Sequence, residues 1–232
     1  MSKITSHFSL SAIIDQLSKI WKAIFLGIVI SLGGAGFTVF VGKVTGTSMR
    51  VLAKDPAELI GFSPYVGMLS HWGVILWITT AAICLFSAVI LRQYQAFGVE
   101  TRFLAASGAF SLLLGVDDLY MLHDRLLPRL FHLPEAFFYL LYFLAFVGYL
   151  FFFASHILKY DYLLFAIAFI FFVISRGFYS WIPYFGEFYA TADVLKCFGI
   201  VFWLIFFYRT ALQEISALVA FQRQSQASPP KA

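Results

Sequence analysis

Residues Gly115 to Pro128, reading GVDDLYMLHDRLLP, place three carboxylates, a histidine and an arginine at the end of an apolar run that starts at Phe103. If that run is a membrane helix, Asp117 and Asp118 enter the hydrocarbon edge, where charge is costly and is retained when it is paired or used. His71, Arg176, Asp193 and Lys196 stand inside other apolar runs. Carboxylates and imidazoles brought together can exchange protons, or can hold a divalent metal that activates water. On this pattern Asp117, Asp118, His71 and Asp193 are the candidate catalytic groups. Asp117 and Asp118 would act as ligands or proton carriers, and His71 as a ligand or base. Arg176, Lys196, His123 and Asp124 are the candidate binding and counter-charge groups. A metal, if one binds, would draw on His71, Asp117 and His123.

Spacing narrows the partners. Asp117 and Asp124, seven apart, share a helix face, and Asp118 points about 100° away from Asp117. Asp193 and Lys196, three apart, can pair locally. A guanidinium can hold a carboxylate through two hydrogen bonds, so the expected contact is Asp117 or Asp118 with Arg176, with Lys196 close by. The bland alternative is that these charges lock helices in register and do no chemistry.

The elements that position these groups follow from composition. Of 232 residues, 61% are apolar and 12% charged, Phe contributes 29, and mean hydropathy is +0.86. A soluble domain is nearer 45–50% apolar and about 25% charged. Several segments reach the roughly 20 apolar residues needed to cross a bilayer. The sequence therefore predicts an all-α polytopic bundle of about six transmembrane helices. An amphipathic segment over residues 1–22 would lie in the interface, without the features of a cleaved signal peptide. The six-span bundle would occupy residues 23–208, and a polar C-terminal tail 209–232. The expected spans are about 23–41, 65–91, 103 into the charged stretch, 135–157, 161–181 and 190–208. Loops cover about 42–64, which contains Lys54-Asp55-Pro56, and 182–189. The aromatic stripes of the fourth and fifth spans read as lipid-facing or packing surface.

Six spans put both termini on one side. That side carries Lys3, Lys19, Lys22, Arg92, Arg102, Lys159, Arg209, Arg223 and Lys231, against Lys43, Arg50, Lys54, Arg125 and Arg129 opposite. The positive-inside rule makes the richer side cytoplasmic. Depth then follows at 1.5 Å per residue: Asp117 and Arg176 each fall about 21–22 Å from the cytoplasmic end of their spans. Asp193 and Lys196 lie within roughly 5–10 Å of the opposite entry, and His71 at a similar depth. Four spans thus direct ionisable groups to one layer in the outer half of the bilayer.

The formal charge of +4 comes from loop cations, with no basic cluster interleaved with aromatics to suggest nucleic acid. Cys84 and Cys197 read as small buried hydrophobes. The patterns Asp117-Asp118-Leu119-x-x-Leu122-His123-Asp124-x-x-Leu127-Pro128, Leu69-Ser70-His71-Trp72-Gly73 and Asp193-Val194-Leu195-Lys196-x-x-Gly199-Ile200-Val201-x-Trp203 resemble a group of uncharacterised bacterial multi-pass membrane proteins. The resemblance implies a six- or seven-helix bundle and brings no activity with it; the expected location is a bacterial plasma (inner) membrane. A weaker similarity to the alkaline ceramidase and adiponectin-receptor superfamily implies a metal site inside a helical bundle. That superfamily has two histidines four apart in its last helix, where this chain has Asp193 and Lys196. Three functions remain open: a membrane-embedded hydrolase-like enzyme acting on a lipid or small molecule, a proton- or cation-coupled carrier or channel, and a non-catalytic subunit of a membrane complex. A covalent pigment on Lys196 is a remote variant of the second.

Overall fold

A computed structural model describes residues 10–53, 56–63, 65–94, 98–181 and 189–227, and among them every regular element is helical. The chain divides into two compact units, Met1–Val66 and Gly67–Ala232. The first holds α1 (Leu10–Thr45) and two short helices, α2 (Met49–Leu52) and α3 (Pro56–Ile60). Helix α1 runs unbroken through residue 22, so the described part of the amphipathic segment, from residue 10, continues into the first expected span; residues 1–9 lie outside the described residues. No proline interrupts residues 10–45, and nothing there forces a helix to stop. Lys54 and Asp55 of the Lys54-Asp55-Pro56 stretch lie outside the described residues, as do 182–188 of the aromatic loop.

The second unit holds α4 (Met68–Tyr94), α5 (Val99–Tyr120), a π-helical turn (Leu122–Leu126), α6 (Leu127–Phe131), α7 (Glu135–Lys159), α8 (Tyr162–Trp181) and α9 (Tyr189–Ala227). Helix α4 packs against both α5 and α9, and α8 lies along α9. These contacts are close because glycine permits them. A Cβ on Gly108 of α5 would stand 2.7 Å from Leu85 Cγ and 3.1 Å from the Ala81 carbonyl of α4. One on Gly199 of α9 would stand 2.6 Å from the Phe172 ring and 3.1 Å from the Ala168 carbonyl of α8.

The core between these helices is aromatic. Trp203 meets Trp77 at 5.7 Å, Phe165 at 5.1 Å and Phe207 at 5.0 Å between ring centroids. Phe103 and Phe110 of α5 stack on Tyr149 of α7 at 6.3 and 5.6 Å. The aromatic stripes therefore divide. Tyr149 and Phe165 are buried, whereas Phe151, Phe152 and Leu163 are exposed in a manner suited to lipid.

Among the described residues, four helical segments are long and apolar enough to cross a membrane: Met68–Tyr94, Val99–Tyr120, Glu135–Lys159 and Thr191–Gln224. That is fewer than the six expected. In α8 the apolar stretch, Tyr162–Gly177, is shorter than the others. Helix α9 does not stop near residue 208 but continues to Ala227. Its extension is anchored: Arg209 Nε donates to Asp161 Oδ2 at 2.6 Å, and Tyr160 donates to Glu214 Oε1 at 2.5 Å.

Candidate functional site

Helix α5 ends where the charged stretch begins. Met121 takes a left-handed conformation (φ 49°, ψ 49°), and its N–H donates to the Asp117 carbonyl. That backbone is costly for a residue with a Cβ, by about 1–2 kcal/mol. It lets the chain restart at once as the π turn, whose Arg125 and Leu126 N–H groups both donate to the Met121 carbonyl. The Asp117 carboxylate caps this restart, because Oδ1 accepts the His123 backbone N–H at 2.9 Å. Sequence, strained turn and buried carboxylate are thus one local construction.

Asp117 is 5% exposed and fully engaged. Besides the His123 N–H, its Oδ1 accepts the Tyr142 hydroxyl of α7 at 3.0 Å, and its Oδ2 meets His123 Nδ1 at 2.5 Å. The other nitrogen of that ring, Nε2, lies 3.0 Å from Asp124 Oδ1, which also accepts the Tyr139 hydroxyl at 2.7 Å. An imidazole can donate to two carboxylates only when both nitrogens carry protons. Burial pulls the His123 imidazole down, but hydrogen bonding to Asp117 and the charges of Asp117 and Asp124 outweigh it. The ring is held above its ordinary value, although Lys196 opposes the shift. The result is a continuous chain, Tyr142–Asp117–His123–Asp124–Tyr139, leading from a buried carboxylate to one whose side chain is 42% exposed.

Asp118 faces the other way, as its helical phase requires. Its Oδ1 accepts from Lys196 Nζ of α9 at 2.5 Å. Its Oδ2 is buried with no hydrogen-bond partner among the described residues. Lys196 therefore reaches across to α5; a local pair with Asp193 was the expectation. The hydrogen bonds described at Asp117 come from His123 and Tyr142, and that at Asp118 from Lys196. The Arg176 guanidinium sits over the Tyr139 ring at 4.6 Å, a cation–π arrangement.

These groups surround a cavity of about 580 Å³ whose walls include Asp117, Asp118, His123, Asp124, Arg176, Asp193 and Lys196. A neighbouring cleft of about 270 Å³ shares Asp118, Asp124, Asp193 and Lys196, and adds Ser70, Gly73 and Cys197. Seven of the eight candidate residues are thus brought to one place. His71 is not among the lining residues. It stands exposed in the first turn of α4, its N–H donating to the Gly67 carbonyl at 2.9 Å. Among the described residues no three His, Cys, Asp or Glu side chains are disposed to hold a metal ion. The named trio His71, Asp117 and His123 does not form such a group.

Tyr139 and Tyr142 are the site residues that spacing alone did not single out. They belong to a run Glu135, Tyr139, Tyr142, Phe146, Tyr149 that repeats every three or four residues on one face of α7. Hydroxyl-bearing members of an aromatic stripe were the available signal, since a buried Tyr O–H usually finds a partner.

A family model described as a domain of unknown function, DUF8692, matches residues 23–210, and the chain belongs to that family. No curated protein and no solved structure matches it.

Proposed function

We propose that this is a multi-pass membrane protein that exchanges protons between a buried carboxylate, Asp117, and water, as a proton channel or the proton-coupling site of a carrier. The observation that carries this is the run of contacts from Asp117, hydrogen-bonded to His123 Nδ1, to Asp124, which lies 3.0 Å from His123 Nε2 as an ion pair. A proton accepted at Asp124 can be passed on as His123 releases one to Asp117, with no net charge created in the buried position. Asp118 and Lys196 beside it offer a second pair whose proton can move as the carboxylate's free oxygen changes partner. Six spans, cytoplasmic termini and a site in the outer half of a bacterial plasma membrane fit the distribution of lysines and arginines. The exposed aromatic surface fits a lipid bilayer as the surrounding partner.

The same geometry weighs against a hydrolase-like site using His123 as base. A general base presents a free nitrogen to the water or hydroxyl it deprotonates, and Nε2 of His123 faces Asp124. The cavity is large enough for a small-molecule or lipid headgroup ligand, which keeps a carrier ahead of a simple pore.

The test is proton uptake into liposomes loaded with a pH-sensitive dye, driven by a potassium diffusion potential. Wild-type protein is expected to exceed empty liposomes, and Asp117→Asn to abolish the excess. Wild-type flux surviving in Asp117→Asn would leave the charges as a lock between helices and sink the proposal.

A further inference from the structure

The far end of the same helices repeats the arrangement at Asp117. Tyr160, at the C-terminus of α7, is 8% exposed, and Glu214 of α9, which accepts its hydroxyl proton at 2.5 Å, is 9% exposed. Lys159 Nζ lies 3.5 Å from Glu214 Oε1 and 3.3 Å from Glu100 Oε1 of α5. His156, one turn back on α7, also acts on Glu100 through its charge. The order of groups is the same at both ends. A tyrosine donates to a buried carboxylate, the carboxylate meets a cation, and the cation meets a second, more exposed carboxylate. One end reads Tyr142, Asp117, His123, Asp124; the other reads Tyr160, Glu214, Lys159, Glu100. Both sets draw on α7 and on the ends of α5, and α9 carries Lys196 at one end and Glu214 at the other.

Their separation matches a bilayer. Lys196 and Glu214 are about 27 Å apart along α9, and Glu100 and Asp117 about 25 Å apart along α5, at 1.5 Å per residue. A hydrocarbon core is about 30 Å thick. Buried hydroxyls lie between them on the same helices. Ser107 shares a 2.7 Å hydrogen bond with the Tyr149 hydroxyl, and Ser111 accepts from Trp203 Nε1 at 3.0 Å. Thr101 Oγ1 and Thr210 Oγ1 are buried without a protein partner among the described residues. Orphaned buried hydroxyls of this kind are where ordered water completes the hydrogen bonding. The longest interval, Ser111 to Asp118, is about 10 Å along α5. A cavity of about 220 Å³ lined by Trp77, Leu114, Asp117 and Asp118 occupies part of it.

We infer that Glu214, with Tyr160, Lys159 and Glu100, is a second proton-exchange site on the opposite face of the membrane, joined to Asp117 by the buried hydroxyls of Thr101, Thr210, Ser107, Tyr149 and Ser111 with water between them. The inference rests on proton exchange at Asp117. Each transfer is a relay: a proton enters at one carboxylate, each hydroxyl or water passes one on and receives one, and a proton leaves at the other. No electrons move and no other reactant is consumed.

The experiment uses full-length protein in the same dye-loaded liposomes, comparing wild type, Asp117→Asn, Glu214→Gln and Tyr160→Phe, with thermal melting as a folding control. Glu214→Gln is expected to fall to the rate of empty liposomes. Tyr160→Phe is expected to slow flux clearly without abolishing it, and it decides the matter if Glu214→Gln does not fold. Wild-type flux in a folded Glu214→Gln, with Asp117→Asn silent, overturns the second site and leaves the proposed function standing. If wild type does not exceed empty liposomes, or Asp117→Asn matches wild type, the proposed function has failed and the second site falls with it.

Discussion

The two ionic clusters share an order of groups but are built differently. At the Asp117 end the carboxylate bonds back to its own chain: His123 is six residues away, and its backbone and ring both bind the carboxylate. At the Glu214 end every described partner is distant in sequence. Tyr160 and Lys159 come from α7, 54 and 55 residues earlier. The intermediary cation differs too. Histidine is the side chain that gains and loses its charge near neutral pH, whereas Lys159 is an exposed lysine. The Asp117 end is a compact, switchable unit, and the Glu214 end is an assembly that exists once three helices have packed.

That contrast orders the expected effects. Asp117→Ala strips a buried charge cluster of its centre and removes the acceptor of the His123 backbone N–H, the His123 Nδ1 contact and the Tyr142 hydroxyl bond. It is expected to cost about 3–5 kcal/mol. Glu214→Ala leaves an exposed lysine and one tyrosine hydroxyl and should cost about 1–3 kcal/mol. Unfolding both variants in one detergent would break the comparison if Glu214→Ala were the more damaging. Next come the tyrosines: Tyr160→Phe and Tyr142→Phe each remove a hydrogen bond to a carboxylate, worth roughly 1.5–3 kcal/mol. Equal losses would place the two carboxylates on the same footing despite their different construction.

The pH response separates the ends further. His123 is raised in the folded state from an ordinary value of 6.5. Its contribution to stability is therefore complete below about 6.5 and is lost as pH rises through the higher folded-state value. Melting temperature should decline across that alkaline-going window in wild type. The decline should disappear in His123→Gln and persist in Lys159→Met. A wild-type profile that rises over the window would contradict the assigned direction. The smallest effect belongs to Lys159→Ala, an exposed partner expected to change stability by no more than about 1 kcal/mol. A larger loss would show that the Glu214 cluster is more tightly bound together than its exposure implies.

How much of this was legible depends on the range of each interaction. The charged stretch after Gly115, the phase difference between Asp117 and Asp118, and the common depth of Arg176, Asp193 and Lys196 all follow from helical rise and rotation. Seven of the residues so named line one cavity. Partner choice did not follow. Spacing put Arg176 first as partner of the aspartates with Lys196 close by, and the packing of the helices gave Lys196 to Asp118 and set Arg176 over Tyr139. His71, expected at the same depth, is not among the residues lining the cavity. Depth fixes one coordinate of three.

The second cluster was harder to see. Arg209 onward read as a tail because hydropathy falls there, yet the helix has no reason to stop and its polar groups find Tyr160 and Asp161. Tyr139 and Tyr142 were submerged in an aromatic stripe whose rings and hydroxyls have different uses.

By itself the sequence determined the helical, membrane-suited character of this protein, through apolar length and scarcity of charge. The Asp117–His123 unit spans only six residues and one left-handed turn, yet spacing had offered Asp124 and Arg176 to Asp117 and did not pair it with His123. Tertiary structure alone decided which cation serves which carboxylate, and whether a tyrosine in an apolar helix is packing or a donor. The physical reason is that hydrogen bonds require positions good to a few tenths of an ångström. Periodicity supplies a face and a depth; only the crossing of packed helices supplies the rest.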